Sequence, residues 1–308
     1  MGAYLVRRLV FSVFILWGAV SIIFVVLRLI PSDPARLILG SDATESEVEA
    51  LRDQLGLNDP LVSQYVSYLG DLLRLDFGES YRQQRDAFGL VLERLPATLE
   101  LAIVALLIAL VVGLLLGVLA ALRVNKLTDR LVSVASLLAQ SLPSFWIGIV
   151  FILIFSRGLQ VLPSGGTGTP AHMVLPAVTL AMPMLAILIR MTRSGLLEVI
   201  HEGYIQTARA KGLSERVVIF PHAIRNALIP IVTIVGLQFG GLLAGSVIVE
   251  MVFSWPGIGR LLIESIGQRD YNVVQAAILV IAAGFVLANL LVDILYGYLD
   301  PRVRLVSR

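Results

Sequence analysis

The residues best placed to do chemistry lie in one basic loop, "GYIQTARAKGLSERVVIFPHAIRNALIPIV", at 203–232. Its basic side chains are those of Arg209, Lys211, Arg216, His222 and Arg225. The part "YIQTARAKG" consists of good helix formers and ends at Gly212, a residue suited to terminate a helix. We expect a short exposed helix whose arginine and lysine bind acidic groups, either on another protein or on anionic lipid headgroups.

Motifs for catalysis and nucleotide binding are missing from the sequence. It contains no GxxxxGK[ST] phosphate-binding loop, no HExxH and no GxSxG. It has no cysteine, which excludes disulfides, thiolate metal sites and cysteine nucleophiles. His172, His201 and His222 are spaced too irregularly to indicate a metal site. We therefore expect no enzyme activity and no cofactor in this chain, and the absence of base-reading motifs argues against a nucleic-acid partner.

A few polar residues inside apolar runs are candidates for lining a solute pathway, namely Gln140, Ser141, Ser144 and Gln238. The alternative for each is a hydrogen bond between packed helices. Ionisable residues stay at the edges of the apolar runs, as Arg28, Glu250 and Asp293 do. A charge at the bilayer centre costs roughly 2.5–3.5 kcal/mol on insertion scales. The sequence thus offers no proton relay and no catalytic pair within the membrane, so energy for moving a solute must come from elsewhere.

The elements that position these residues are membrane spans. The chain has 308 residues, of which 57% are hydrophobic and 15% charged, with a mean hydropathy of +0.87. A soluble domain carries about a quarter charged residues. Uncharged runs long enough to cross a bilayer occur at 9–27, 101–122, 131–156, 173–189, 226–249 and 271–292. These runs predict an all-α integral membrane protein with six transmembrane helices, kinked or broken at Pro143, Pro176 and Pro183.

The distribution of basic residues predicts the orientation. The run at 9–27 follows a basic start, but it is longer than a secretory signal and no small-x-small site follows it, so we interpret it as a retained span. Basic residues concentrate on one side: Arg7, Arg8, Arg123, Lys126, Arg130, Arg190, Arg193, Arg209, Lys211, Arg216, Arg225, Arg302, Arg304 and Arg308. The opposite short loops hold only Arg157, Arg260 and Arg269. The positive-inside rule puts both termini and the basic loop in the cytoplasm.

The segment 31–97 is too long for a simple turn between spans. Thr44 and Glu47 form a capping-box pattern ahead of a helix that stops near Gly56. A second amphipathic helix begins after Pro60. We expect two short external helices, which either cover the bundle or dock an external partner. The spacings "GLLLG", "GLQFG" and "GLLAG" are typical of close helix packing, either within the chain or against a second subunit.

Several stretches resemble the permease subunits of the dipeptide/oligopeptide/nickel importers, ABC transporters that also include glutathione importers. "TARAKGLS" with "PHAIRNALIPIVT" is similar to the cytoplasmic coupling loop of that family. Five other stretches are similar to the family and occur in the same order along the chain: "YLVRRL", "PSDPARLILG", "RLPATLELA", "IVEMVFSWPGIGRLLIESIGQRDYNVVQAAIL" and "NLLVDILYGYLDPRVR". The general E-A-A…G…I-x-L-P loop pattern is matched closely only at Ala208 and Gly212, as expected of the peptide-importer branch.

The resemblance implies a MetI-like permease fold and a division of labour. A second homologous permease, two ATPase subunits that bind ATP and Mg, and an extracytoplasmic solute-binding protein would complete the importer in a bacterial or archaeal cytoplasmic membrane. The coupling helix would comprise Tyr204, Ile205, Gln206, Thr207, Ala208, Arg209, Ala210, Lys211 and Gly212. His222, Arg225 and Asn226 would connect it to the fifth span. Arg209 and Lys211 would pair with acidic groups of an ATPase.

The resemblance also divides the chain and narrows the cargo. Residues 1–30 would hold the cytoplasmic N-terminus and first span, 31–97 the external loop, 98–300 the permease core with a coupling loop at 193–227, and 301–308 a cytoplasmic tail. Di- or oligopeptides are the expected cargo, with glutathione, nickel or oligosaccharides as alternatives. An ion-coupled secondary carrier is the alternative of a different class.

Overall fold

Long helices dominate the computed structural model, which describes residues 2–29, 34–40 and 42–299. About 80% of the chain is helical, and the described residues form no strand. The longest helices are α1 (Gly2–Leu29), α5 (Ala87–Leu122), α8 (Ala171–Ile200), α11 (Arg225–Val252) and α13 (Tyr271–Leu299). Each contains a stretch long and apolar enough to cross a bilayer. In lipid such runs must be helical, because a helix satisfies its own backbone hydrogen bonds.

The third predicted span is a broken one. Helices α6 (Leu127–Ser141) and α7 (Ser144–Phe151), the latter continued by a π-helical segment at Ile152–Gly158, meet at an angle of 110°. The break predicted at Pro143 is thus confirmed, but it is a sharp corner rather than a kink. By contrast, α8 continues through Pro176 and Pro183 as one helix. The described residues therefore provide up to six spans, counting the bent pair as one.

Close contact between α5 and α8 forms the centre of the bundle. A side chain at Gly117 would come within 2.5 Å of the Thr192 Cβ, and one at Gly113 within 2.8 Å of the Leu188 Cβ. The "GLLLG" spacing therefore serves packing within the chain. "GLQFG" does the same between α11 and α13, whereas Gly241 of "GLLAG" has open space beside it. The buried cluster around this contact contains Leu101, Ala105, Ala109, Leu180, Met184 and Val249.

Three short helices precede α5, namely α2 (Pro34–Leu39), α3 (Glu45–Gln54) and α4 (Leu61–Leu73). The capping box of Thr44 and Glu47 is confirmed, and α4 begins directly after Pro60 as predicted. Helix α2 was not predicted. Helix α4 packs on α1 through the edge-on contact of Tyr65 with Phe24. The first residues of the predicted external segment (31–33) and the predicted tail 301–308 with its arginines lie outside the described residues.

Candidate functional site

A short helix, α9 (Gly203–Ala210), occupies most of the predicted coupling segment Tyr204–Gly212. It begins after Glu202, whose backbone is extended. It ends where Lys211 caps it and Gly212 adopts a φ of +78°, a left-handed conformation that favours glycine. The Gly212 amide donates to the Arg209 carbonyl at 2.9 Å, which closes the turn. The predicted helix and its glycine stop are therefore present at the predicted place.

Ile205 anchors α9 to the bundle. Its side chain is completely buried, and it belongs to a cluster with Ala121 of α5, Leu196 of α8 and Val218, Ala223 and Ala227 of the following segment. Ala208 packs against the same cluster. Gln206, Thr207, Arg209, Ala210 and Lys211 are exposed. Burying one isoleucine side chain stabilises by about 1.5–3 kcal/mol. The helix thus has one face buried in a cluster shared with α5, α8 and α11, and another face that is exposed.

A hydrogen bond ties α9 to the start of α11. The Asn226 Nδ2 donates to the Tyr204 hydroxyl at 2.8 Å and to the His222 carbonyl at 3.1 Å. The structure therefore brings Asn226, one of the three predicted connector residues, to Tyr204 of α9. The side chains of His222 and Arg225 are exposed. Sequence reasoning missed that Tyr204 and Asn226 meet, because they are separated by a turn and a π-helical segment.

The exposed end of α9 holds an ion pair. Arg209 Nε and Nη2 donate to the two carboxylate oxygens of Glu215 at 2.8 and 3.2 Å. The hydrogen bond from Arg209 lowers the pKa of the Glu215 carboxyl below its usual value and raises the pKa of the guanidinium. Such exposed pairs contribute little to stability. Arg209 was predicted to be available to another protein, but within this chain it is paired; Lys211 and Arg216 are exposed.

The connection from α9 to α11 consists of α10 (Glu215–Val217) and a π-helical segment at Val218–Ile224. Pro221 lies inside the π-helical segment. Proline has no backbone N–H, so one hydrogen bond of the helical pattern is missing there. Val218 and Ala223 of this segment are buried beside Ile205. The segment therefore forms the other wall of the pocket that holds the α9 anchor.

The four polar candidates for a solute pathway have different surroundings. Gln140 is exposed, and its Oε1 accepts a hydrogen bond from Arg190 Nη1 of α8 at 2.9 Å. Ser141 donates to the Leu137 carbonyl of its own helix at 2.8 Å. Ser144 follows Pro143 at the corner and is half-buried. Gln238 lies half-buried on α11, and among the described residues no hydrogen bond joins it to the other three.

A buried ion pair between α6 and α8 was not predicted. Arg193 Nε and Nη2 donate to the Asp129 carboxylate oxygens at 2.6 and 2.9 Å, and the Asn125 amide donates to the same carboxylate at 2.9 Å. The Asp129 side chain is 5% exposed. Fork-to-fork pairing of this kind fixes geometry as well as charge. From sequence, Arg193 was only one more basic residue at a span end, and nothing in the pattern indicated a partner in α6.

A second buried carboxylate closes the corner between α11 and α12 (Ile258–Gly267). Glu250 is completely buried; its oxygens accept from the Thr98 hydroxyl at 2.8 Å and the Arg260 amide at 3.1 Å. A side chain at Gly257 would lie 2.4 Å from the Glu250 carboxyl. The sequence predicted Glu250 only as an ionisable residue at the edge of a span. Phe253 and Trp255 in this stretch are buried, and Trp255 Nε1 donates to the Ala97 carbonyl at 2.9 Å.

Together, these elements can receive a partner and transmit a displacement. An exposed face with lysine and arginine side chains can bind acidic groups. The buried face of α9 packs against α8 and the π-helical segment, in a cluster that also includes Ala121 of α5. No group of three histidine, cysteine or acidic residues that could hold a metal occurs in the described part of the chain.

Comparison with known families gives matches over both parts of the chain. The family described as "Binding-protein-dependent transport system inner membrane component" matches residues 113–305. The model described as "Binding-prot-dependent transport system membrane comp, N-term" matches residues 1–102.

Individual relatives match over almost their whole length. The chain is 42% identical to the di/tripeptide transport system permease protein DppB of Pseudomonas aeruginosa (strain UCBPP-PA14), over 99% of each chain. It is 40% identical to the glutathione transport system permease protein GsiC of Escherichia coli (strain K12), over 98% of each. It is also 40% identical to the dipeptide transport system permease protein DppB of Alkalihalophilus pseudofirmus, over 99% of this chain and 100% of that one.

Solved structures share the fold. The inward-facing MetNI methionine ABC transporter matches with a TM-score of 0.53 at 23% identity, over 71% of this chain and 97% of that chain. An amino acid ABC transporter with histidines matches with a TM-score of 0.50 at 22% identity, over 70% of this chain and 94% of that chain. The predicted all-helical, MetI-like fold is confirmed.

Proposed function

Because the chain belongs to the binding-protein-dependent transport system inner membrane components, the permease subunits of ABC importers, we propose that it forms half of a pathway that imports short peptides. The observation that carries the peptide assignment is the 42% identity to a di/tripeptide permease over 99% of each chain. The glutathione permease among its relatives supports the same class, since glutathione is itself a small peptide. Nickel and oligosaccharides are the alternative cargoes and are included in the test below.

Energy enters this subunit at α9. The sequence has no phosphate-binding loop, so ATP hydrolysis belongs to separate ATPase subunits. The exposed residues of Tyr204–Gly212 bind a groove on an ATPase, with Lys211 and Arg216 meeting acidic groups there. Arg209 joins that contact by exchanging Glu215 for an acidic partner. Two such permeases, two ATPases and an external binding protein make up the complete importer.

Movement of α9 reaches the membrane through its buried face. The Ile205 anchor is buried in a cluster with residues of α5, α8 and the segment leading into α11, while Asn226 links Tyr204 to α11. When ATP binding draws two ATPases together, the two α9 helices approach each other and the attached spans turn from inward-open to outward-open. This coupling requires the basic side of the chain, with both termini, to be cytoplasmic.

The test is reconstitution of the complete importer in vesicles. The chain, a second permease, the ATPases and the binding protein are purified together, and ATP hydrolysis is measured with dipeptides, tripeptides, glutathione, nickel and oligosaccharides. We expect hydrolysis to rise only with peptides and only when the binding protein is present. Uptake by this chain alone, driven by an ion gradient, would instead establish a secondary carrier.

A further inference from the structure

Two arginines one turn apart on α8 have different partners. Arg193 is neutralised by the buried Asp129 carboxylate, with two hydrogen bonds. Arg190 donates from Nη1 to the neutral amide oxygen of Gln140, and within the described part of the chain it forms no ion pair. A guanidinium has five N–H donors in a planar fork. Arg190 therefore retains both its positive charge and donors for a planar anion.

The position of Arg190 in the bundle is the second observation. α8 is the most buried of the candidate spans, with 56% of its apolar window inside the chain. Pro183, Arg190, Ser194 and Glu198, four of the five exposed residues of α8, recur at helical spacing and form one stripe, in which all but the proline are polar. The fifth, Val174, lies near the start of the helix on its opposite side. Charged residues on a span avoid lipid and face a protein interior or a water-filled cavity. A narrow polar stripe on the central helix fits such a cavity.

The direction of the Arg190 side chain also favours a cavity within the membrane. Nineteen residues from Ala171 place Arg190 about 28 Å along α8. Side chains on a helix tilt toward its N-terminus, and for α8 this is toward the outer side in the proposed orientation. The guanidinium reaches Gln140, three residues before the 110° corner at Pro143. It thus leans into the membrane instead of toward the cytoplasm, beside a broken span of the kind that lines cavities.

We propose that Arg190, held by the Gln140 amide, is an anion subsite on the wall of the transport pathway that binds a carboxylate of the passing peptide. The proposal rests on the proposed function of a peptide importer. Arg190 would contact the cargo, and Gln140 would position the guanidinium. A planar carboxylate matches the guanidinium fork, whereas a lysine ammonium offers only a point charge.

The first test uses the absence of cysteine from the chain. In the reconstituted importer, Ser141→Cys next to Gln140 is treated with a negatively charged and a positively charged methanethiosulfonate, and labelling is scored on this chain. We expect both reagents to react and the ratio of the anionic to the cationic rate to fall roughly tenfold when Arg190→Gln is added, as removal of a nearby charge predicts. Arg190→Lys should preserve most of the ratio. The control Arg130→Gln, on the same helix α6, should leave it unchanged.

The second test compares the uptake of the same peptide by wild type and by Arg190→Gln. Uptake of a dipeptide and of its C-terminal amide is measured in wild type and in Arg190→Gln, so that the preference of the binding protein cancels. We expect kcat/KM to fall at least roughly tenfold more for the free acid than for the amide, as loss of one charge-assisted contact predicts. Gln140→Glu, which supplies an internal carboxylate to Arg190, should produce the same selective loss.

Several results would overturn the subsite. Failure of both reagents to reach Ser141→Cys would place this face in lipid or in a protein contact. An unchanged rate ratio in Arg190→Gln, or equal losses for acid and amide, would remove the anion role. Loss of copurification with the second permease in Arg190→Gln would assign the residue to subunit assembly. Peptide-stimulated ATP hydrolysis by the wild type would persist in every one of these cases, so the importer assignment is tested separately.

Discussion

Replacing Ile205 by alanine should uncouple ATP hydrolysis from transport. The side chain is completely buried among Ala121, Leu196, Val218, Ala223 and Ala227, and its truncation removes three carbon atoms from that cluster. Isoleucine-to-alanine changes in buried sites cost about 2–5 kcal/mol, because a cavity remains beyond the lost transfer energy. The other attachments of α9 are weaker. The Tyr204–Asn226 hydrogen bond contributes about 0.5–1.5 kcal/mol, and the exposed Arg209–Glu215 pair contributes little.

The loss should appear first as local opening of α9. A decrease of about 2 kcal/mol in the local stability raises the open fraction roughly thirtyfold, since 1.4 kcal/mol is a factor of ten. Amide hydrogen exchange at 205–212 should accelerate by at least that factor. Uptake per ATP hydrolysed should fall, while membrane insertion and assembly remain. Ile205→Val costs about 0.5–1.5 kcal/mol, so its exchange rate at 205–212 and its uptake per ATP should lie between those of wild type and Ile205→Ala.

The control makes the same chemical change elsewhere. Ile266 lies on α12 and is 52% exposed, so Ile266→Ala should leave both exchange at 205–212 and uptake per ATP unchanged. If Ile205→Ala shows accelerated exchange but wild-type uptake per ATP, the Ile205 contact is only structural. The displacement of α9 would then not reach the membrane helices through this side chain. If exchange itself is unchanged, the packing argument for Ile205 is refuted.

Three further changes test other contacts. Gly212→Val should uncouple transport with the chain still in the membrane, because a φ of +78° costs a β-branched residue about 1–3 kcal/mol; wild-type peptide-stimulated ATP hydrolysis would contradict this. Gly257→Ala should lower the free energy of unfolding by about 1–3 kcal/mol, because the new Cβ would lie 2.4 Å from the Glu250 carboxyl. The loss should appear as a lower melting temperature of the assembled importer. Gly267→Ala, with nothing within 4 Å, is its matched control and should be near neutral. The carboxyl pKa of Glu215, followed by NMR in the importer, should lie below 4.5, so its ion pair is intact above that pH and is lost as the pH falls through the lowered pKa; in Arg209→Gln the pKa should return to about 4.5.

Local patterns predicted the elements whose formation depends on neighbouring residues. The apolar runs, the Thr44–Glu47 capping box and the stop of α9 at Gly212 each follow from a few adjacent side chains, and each is present. The 110° corner at Pro143 was only half predictable. Proline removes one backbone hydrogen bond from a helix, yet α8 continues through Pro176 and Pro183. Whether the helix breaks at Pro143, and in which direction α7 then runs, depends on what the two parts pack against.

The buried polar contacts were out of reach of local patterns for a physical reason. Glu250 and Thr98 are separated by 152 residues, so no periodicity relates them. In isolation each side chain is compatible with water at a span end. Only the folded corner, where Gly257 leaves space for the carboxylate, makes burial of Glu250 favourable, since a buried carboxylate needs donors already in place. The closeness of Gly257 and Gly259 to this carboxylate arises only in the fold and could not be predicted from the sequence.

The arginines of α8 show why the partner, and not the residue type, decides function. From the sequence, Arg190 and Arg193 were both predicted to be charges on the cytoplasmic side, three positions apart on one helix. Arg193 meets a buried aspartate 64 residues earlier, and the pair fixes α6 against α8. Arg190 meets an amide 50 residues earlier, which orients the guanidinium without neutralising it. Arg190 thus has an oriented guanidinium and no counterion among the described residues, so it can bind an anion from outside the chain. In the proposed peptide importer the cargo itself brings that anion.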